Sequence, residues 1–231
     1  MTRYVLASPS AQSDGRTGCP ATEVLRISTA SPGYDTLPPV TVENLQNQQQ
    51  LIIRQRVRLM VNQYEVHAVT PDGQEAGLLA FAQQKRMAFK EQVTLYTDDT
   101  KQTPVLGFKA RQVMDLGATY DVTDAAGAPI GLFRKNFKES LLRSTWHLEQ
   151  PAFGDMVGRE SNLVVALLRR FVDSLSWLPY DFEFLQADRP VFSVAKKWGI
   201  RDRYVVTIHD PQVDRRLVVA MAVALDALQG R

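Results

Sequence analysis

The sequence predicts a mostly β fold: a closed barrel of about twelve strands around a central hydrophobic carboxy-terminal α-helix, with one further amphipathic helix outside. Two observations and one physical argument predict it. From Leu51 onward the chain reads as short alternating segments separated by turn signals. Near its end, Leu217–Leu225 is apolar at every angle around a helix, which is the pattern of a helix buried on all sides. A chain made mostly of strands encloses such a helix most economically by closing its sheet around it, and closure also removes exposed sheet edges.

Residues 1–45 mix Ser, Thr, Pro and Gly with few aromatics. A segment of that composition buries too little surface to offset the entropy of ordering it. It is expected to be a flexible, disordered tail, with Gln46–Gln50 ending the linker and residues 46–231 forming the barrel domain.

The strands follow in order. Tyr64, Val66 and Ala68 share one parity before the turn Pro71-Asp72-Gly73, and Leu78, Ala80 and Ala82 continue the pattern. Val93 and Leu95 alternate with polar neighbours until Asp98-Asp99 breaks the run. Leu106, Phe108 and Ala110 point one way while Lys109 and Arg111 point the other. Tyr120 and Val122 lead into a hairpin connection over 124–129, where Gly127 is free to take positive φ, and Ile130 and Leu132 resume the strand. Ser144–Leu148, Phe182–Leu185, Val191–Lys196 and Arg203–Ile208 complete the set.

A helix is predicted from about Ser161 to Trp177. Leu163, Val164, Leu167, Leu168, Phe171 and Leu175 recur at helical spacing, and Pro179 stops it. It is expected to pack outside the sheet. For the terminal helix, Asp210-Pro211 offers an N-cap and a first-turn proline. The nine-residue apolar run rises only about 13–14 Å at ~1.5 Å per residue, well short of the ~30 Å of a bilayer core. No transmembrane span is expected.

Composition narrows the function classes. A net charge of +2 gives no global field that would argue for nucleic acid. The single cysteine, Cys19, excludes an internal disulfide and a cysteine-rich metal site. The opening residues lack a charged segment followed by an apolar run, so no secretory signal is expected. The chain reads as cytoplasmic, and peripheral to a membrane if it binds one.

No catalytic constellation is recognised. His67, His147 and His209 are far apart and form no close ligand pair, so no metal is expected. No G-x-S-x-G elbow is present, and Ser161 and Ser193 read as a cap and a strand residue. Asp98-Asp99 and Asp121/Asp124 fall at turns, where Asp is favoured for its backbone hydrogen bonds. The basic residues are the one feature that suggests a site. Arg134, Lys135, Lys138 and Arg143 form one cluster, and Lys196, Lys197, Arg201 and Arg203 a second. Lys85, Arg86 and Lys90 form a third. If adjacent strands or loops join two clusters, they hold a phosphate or an anionic headgroup, at about 1 kcal/mol per basic residue.

Taken together, the segments carry a family resemblance. They run from Gln84-Lys85 through Phe89-Lys90-Glu91, Leu95-Tyr96-Thr97-Asp98 and Phe108-Lys109-Ala110-Arg111. Tyr120–Asp124 then leads to Gly127 and Ile130-Gly131, and an apolar helix over Arg215–Leu228 ends the chain. Their order over residues 50–230 resembles the tubby carboxy-terminal-like superfamily, in its LURP-one-related and phospholipid-scramblase-like branch. The resemblance implies a closed barrel of about twelve strands around a central helix, with no enzyme activity and no cofactor. It also implies an anionic phospholipid headgroup or membrane surface as the partner, because tubby-like members bind phosphoinositides through basic side chains. The alternative is a protein-interaction or scaffold domain with a protein partner and no lipid role. The chain lacks the upstream proline-rich segment with clustered cysteines and the acidic calcium loop of scramblases, with only His209-Asp210-Pro211-Gln212 before the final helix. Lipid anchoring and calcium-triggered scrambling are therefore not expected.

Overall fold

A computed structural model of the chain describes residues 42–58, 61–85, 92–111, 119–136, 144–161, 181–197 and 203–229. The order is α1 (Val42–Gln46), then β1 (Gln50–Arg58), β2 (Val61–Val69), β3 (Glu75–Lys85), β4 (Gln92–Tyr96), β5 (Pro104–Ala110) and β6 (Thr119–Asp124). It continues with β7 (Pro129–Lys135), β8 (Thr145–Gln150), β9 (Gly154–Glu160), β10 (Asp181–Gln186), β11 (Arg189–Lys197) and β12 (Arg203–Ile208), and ends in α2 (Arg215–Gln229). Each strand pairs antiparallel with its sequence neighbours, and β12 closes on β1. The twelve-strand barrel around a terminal helix is thus present.

Alternation decides which side chains fill the lumen. Leu51 and Ile53 of β1, Tyr64 and Val66 of β2, Val93 and Leu95 of β4, and Phe182 and Phe184 of β10 are all buried in one core with α2. Leu217–Leu225 completes that core, each residue at most 1% exposed. The helix contributes Ala220, Ala222 and Ala224 among larger side chains, so large barrel residues meet small helix residues. Phe133 collects aromatic neighbours on one wall, stacked on Tyr120 at 5.1 Å and edge-on to Phe108 at 5.5 Å.

Four local expectations are revised. The strand β9 lies in a stretch the alternation did not mark, because Gly154, Gly158 and the buried Glu160 occupy positions where apolar side chains would have shown it. A register shift between Val66 and His67 places Leu79, rather than Leu78, in the core. The glutamines read as linker are structural: Gln46 lies in α1, beside the fully buried Leu45, and Gln50 opens β1.

The fourth revision concerns the start of the terminal helix. Asp210 does not cap it; its carboxylate accepts the Gln212 N–H at 2.8 Å and makes a turn. The cap is Asp214, whose Oδ1 accepts the Arg216 N–H at 2.9 Å and the Gln46 amide at 2.6 Å. The Asp214 N–H in turn donates to Gln150 at 2.8 Å. The buried Arg215 guanidinium donates to the carbonyls of Gln48, Pro211 and Val213. Side chains from α1, β8 and the 209–214 turn thus close the barrel over the amino end of α2.

Burial acts to raise the Asp214 pKa, but hydrogen bonds from Arg216 and Gln46 outweigh it and hold the carboxyl below its ordinary value. A depressed folded-state pKa gives stability that is complete above the unfolded value of ~3.9 and lost as pH falls through the folded value. Asp214→Ala is expected to cost about 1–2 kcal/mol at pH 7. Urea unfolding should show that deficit shrinking as pH drops below ~3.9; a deficit independent of pH would contradict it.

The tail expected over residues 1–45 lies outside the described residues except for 42–45, which belong to α1. The helix predicted from Ser161 to Trp177 also lies outside them, apart from Ser161. Among the described residues, no helix is long and apolar enough to cross a membrane.

Candidate functional site at the far rim of the barrel

Strand direction fixes where the basic residues go. Arg215, at the start of α2, is tied to Gln48 just before β1, so the first residues of β1 share an end with the amino terminus of the helix. With every pairing antiparallel, Lys135 ends β7, Lys197 ends β11 and Arg203 begins β12 at the opposite rim, where α2 finishes. All five described members of the two principal clusters therefore lie at one end of the barrel. Between β7 and β11 stand β8, β9 and β10. The clusters share a rim without being neighbours. Lys138, Arg143 and Arg201 lie outside the described residues, as do Arg86 and Lys90.

Parity divides the five. Phe133 and Val194 point into the lumen, so Lys135 and Lys196, two residues on, also point inward at the mouth. Each is laid against an aromatic ring: Lys135 Nζ is 5.8 Å from the Trp146 ring centre and Lys196 Nζ is 5.7 Å from that of Tyr204. Arg134, Lys197 and Arg203 have the opposite parity and face out. Lys197 and Arg203 are direct cross-strand partners, and Arg54 of β1 is the next residue in the same row.

Arg54 is neutralised by Glu75 at 2.6 Å. Arg203 is partly buried, and its Nε has no hydrogen-bond partner among the described residues. Like charges directly opposite on a sheet face repel. Among the described residues only Arg54 of the three has an ion-pair partner, so the row is a place where an anion would relieve the repulsion.

The mouth also contains polar groups that the sequence reading missed. Asp226, one residue past the apolar run of α2, accepts the Tyr64 hydroxyl at 2.9 Å and the Tyr204 hydroxyl on its other oxygen. Both tyrosines are fully buried. Glu160 is also buried at this end, on β9. The available signal was small: an acid following nine apolar residues, and tyrosines where alternation called for purely apolar side chains.

The remaining candidates are dispersed. His67 lies on β2 between Glu65 at 3.5 Å and Glu75 at 3.4 Å, and His147 lies on β8 within 3.3 Å of Asn136. His209 follows β12, with its Nε2 3.3 Å from the Ser193 hydroxyl. That last pair is exposed at the amino-end rim, and among the described residues no carboxylate is hydrogen-bonded to Nδ1 to orient the ring as a base. No group of three His, Cys, Asp or Glu among the described residues is arranged to hold a metal ion.

A family model described as LURP-one-related matches residues 79–226, from β3 through most of α2. Neither the curated proteins nor the solved structures gave a match.

Proposed function

We propose that this chain, which belongs to the LURP-one-related family within the tubby-like carboxy-terminal superfamily, is a non-enzymatic binding module. It recognises anionic phospholipid headgroups at a membrane surface through the basic side chains of the far rim. It works as a peripheral protein in the cytoplasm. The observation that carries this reading is the cross-strand pair Lys197–Arg203 on the outer face, beside Arg54 and at the same end as Arg134. A packed lumen supports a binding role over a catalytic one, because the helix side chains occupy the space a buried substrate would need.

The test is sedimentation with phosphatidylcholine vesicles, with and without phosphatidylserine. Binding is expected only to the anionic vesicles, weakening as salt shortens the Debye length below about 10 Å. At about 1 kcal/mol per basic residue, the double variant Lys197→Ala, Arg203→Ala should weaken it by on the order of thirtyfold. Arg189→Ala, at the other end of β11, should leave it unchanged. Equal binding to neutral vesicles, or undiminished binding by the double variant, would refute the reading.

A further inference from the structure

Antiparallel pairing closes the barrel, but one ladder is much shorter than its strands allow. β3 and β4 pair only through Phe81↔Tyr96 and Ala82↔Leu95. Continuing that register would set Gln83, Gln84 and Lys85 opposite Thr94, Val93 and Gln92, and both strands extend over those residues. On their other sides the same residues are laddered: β3 pairs with β2 out to Lys85, and β4 with β5 out to Gln92. Among the described residues, the facing edges of 83–85 and 92–94 therefore carry no sheet pairing, which leaves a seam at the far rim. An unpaired strand edge offers a row of backbone N–H and C=O groups to an extended chain.

The side chains behind the seam point to the same kind of ligand. Gln84 of β3 and Asn62 of β2 are direct cross-strand partners. Ala82 and Tyr64, two residues further from the rim, lie in the core, so Gln84 and Asn62 also face inward. Gln84 is only 6% exposed, yet among the described residues its Nε2 has no hydrogen-bond partner. The Oδ1 of Asn62 is likewise buried and accepts nothing there. Directly opposed side chains are within reach of one another. A donor and an acceptor that could bond each other thus both stand unmet. One group that accepts from Gln84 while donating to Asn62 satisfies both. A peptide unit does so with its C=O and N–H, and it brings no charge to a buried place.

We propose that the seam is a docking edge for an extended segment of a partner protein. The segment enters at the rim, pairs with the free edge of β3 and turns one peptide unit inward onto Gln84 and Asn62. Backbone pairing along an open edge is a general mode of peptide capture. The two amides then select for main chain rather than for a particular side chain. The site stands apart from the headgroup reading, because none of its residues lies on β11 or β12.

The test titrates the full chain with acetyl-trialanine methylamide, followed by amide ¹H–¹⁵N spectra. Its control is the same peptide with every backbone N–H methylated, which keeps the carbonyls but cannot donate. The first peptide is expected to give saturable shifts at the backbone amides of Gln83, Lys85, Val93 and Thr94, and at the side-chain amides of Asn62 and Gln84. The methylated peptide should give none, a comparison that needs no variant to fold. Gln84→Leu should weaken binding at least tenfold. Its urea midpoint should lie at or above the parent's, since an apolar side chain of similar size replaces an unmet buried amide. Equal shifts from the methylated peptide, shifts confined to the side-chain amides, undiminished binding by Gln84→Leu, or a destabilised Gln84→Leu would each overturn the proposal. So would an absence of shifts, which would assign the two amides to an internal water.

Discussion

Deleting residues 214–231 is expected to leave no cooperatively folding domain. Leu217, Val218, Val219, Met221, Val223 and Leu225 are fully buried in the barrel lumen. At about 1.5–3 kcal/mol for each buried side chain, their removal forfeits on the order of 10–20 kcal/mol, as an upper bound. A whole domain is stable by only about 5–15 kcal/mol. The deletion would also leave a lumen lined by Phe108, Phe133, Phe182, Phe184 and Phe192 with nothing to pack against, and would strip Gln46, Gln48 and Gln150 of the partners that close the amino end. Circular dichroism should show no sharp thermal transition, and a hydrophobic dye should bind strongly. A truncated protein that melts cooperatively near the full-length temperature would contradict this.

Gly158→Val should be the most damaging single substitution of a glycine in the barrel wall. A Cβ at this position would lie within 2.6 Å of three atoms of the Phe184 ring. That ring has no room to retreat, being fully buried and stacked on Phe192 with centroids 4.1 Å apart and planes 8° from parallel. Overpacking against a fixed ring costs about 1–3 kcal/mol in general, and the stacked geometry places this case at about 3 kcal/mol. If the clash is the cause, shrinking the ring should recover part of the loss. The double variant Gly158→Val, Phe184→Leu is expected to be more stable than the sum of its single changes, with a coupling of about 1 kcal/mol or more. Additive effects, or a Gly158→Val protein within about 0.5 kcal/mol of the parent, would show that the ring is free to move.

These two cases mark where the fold was legible in the sequence. Enclosure was readable because Leu217–Leu225 offers no polar side at all, and that pattern depends on no distant residue. Most strands were readable because one face of each meets the helix and the other does not, so parity is written locally. The strand β9 escaped because its inward positions are Met156, Gly158 and Glu160: the second exists to make room for Phe184, some 26 positions later. A residue chosen for a distant neighbour carries no local period. The start of α2 was misplaced for a related reason. Asp210 and Asp214 are equally good caps by type, and only the partners supplied by Gln46 and Gln150 select the second.

The candidate site was legible as residue types and not as an arrangement. Clusters around 134–143 and 196–203 stand out by composition, but their placement on one rim follows from strand direction, and the gap between them from the three strands that intervene. Parity then separates Lys135 and Lys196 from Arg134, Lys197 and Arg203, a distinction invisible while each cluster was only a group of basic residues in the sequence.

Hydrogen exchange of the α2 amides tests the enclosure most directly. If the barrel surrounds the helix, the amides of Val219–Leu225 can meet solvent only when the strands separate. They should then exchange together with the slowest amides of β10 and β11, at the free energy of global unfolding and with the same denaturant dependence. Exchange of those helix amides through a smaller opening, while the strands remain protected, would mean that the helix leaves a standing barrel and that the lumen does not depend on it.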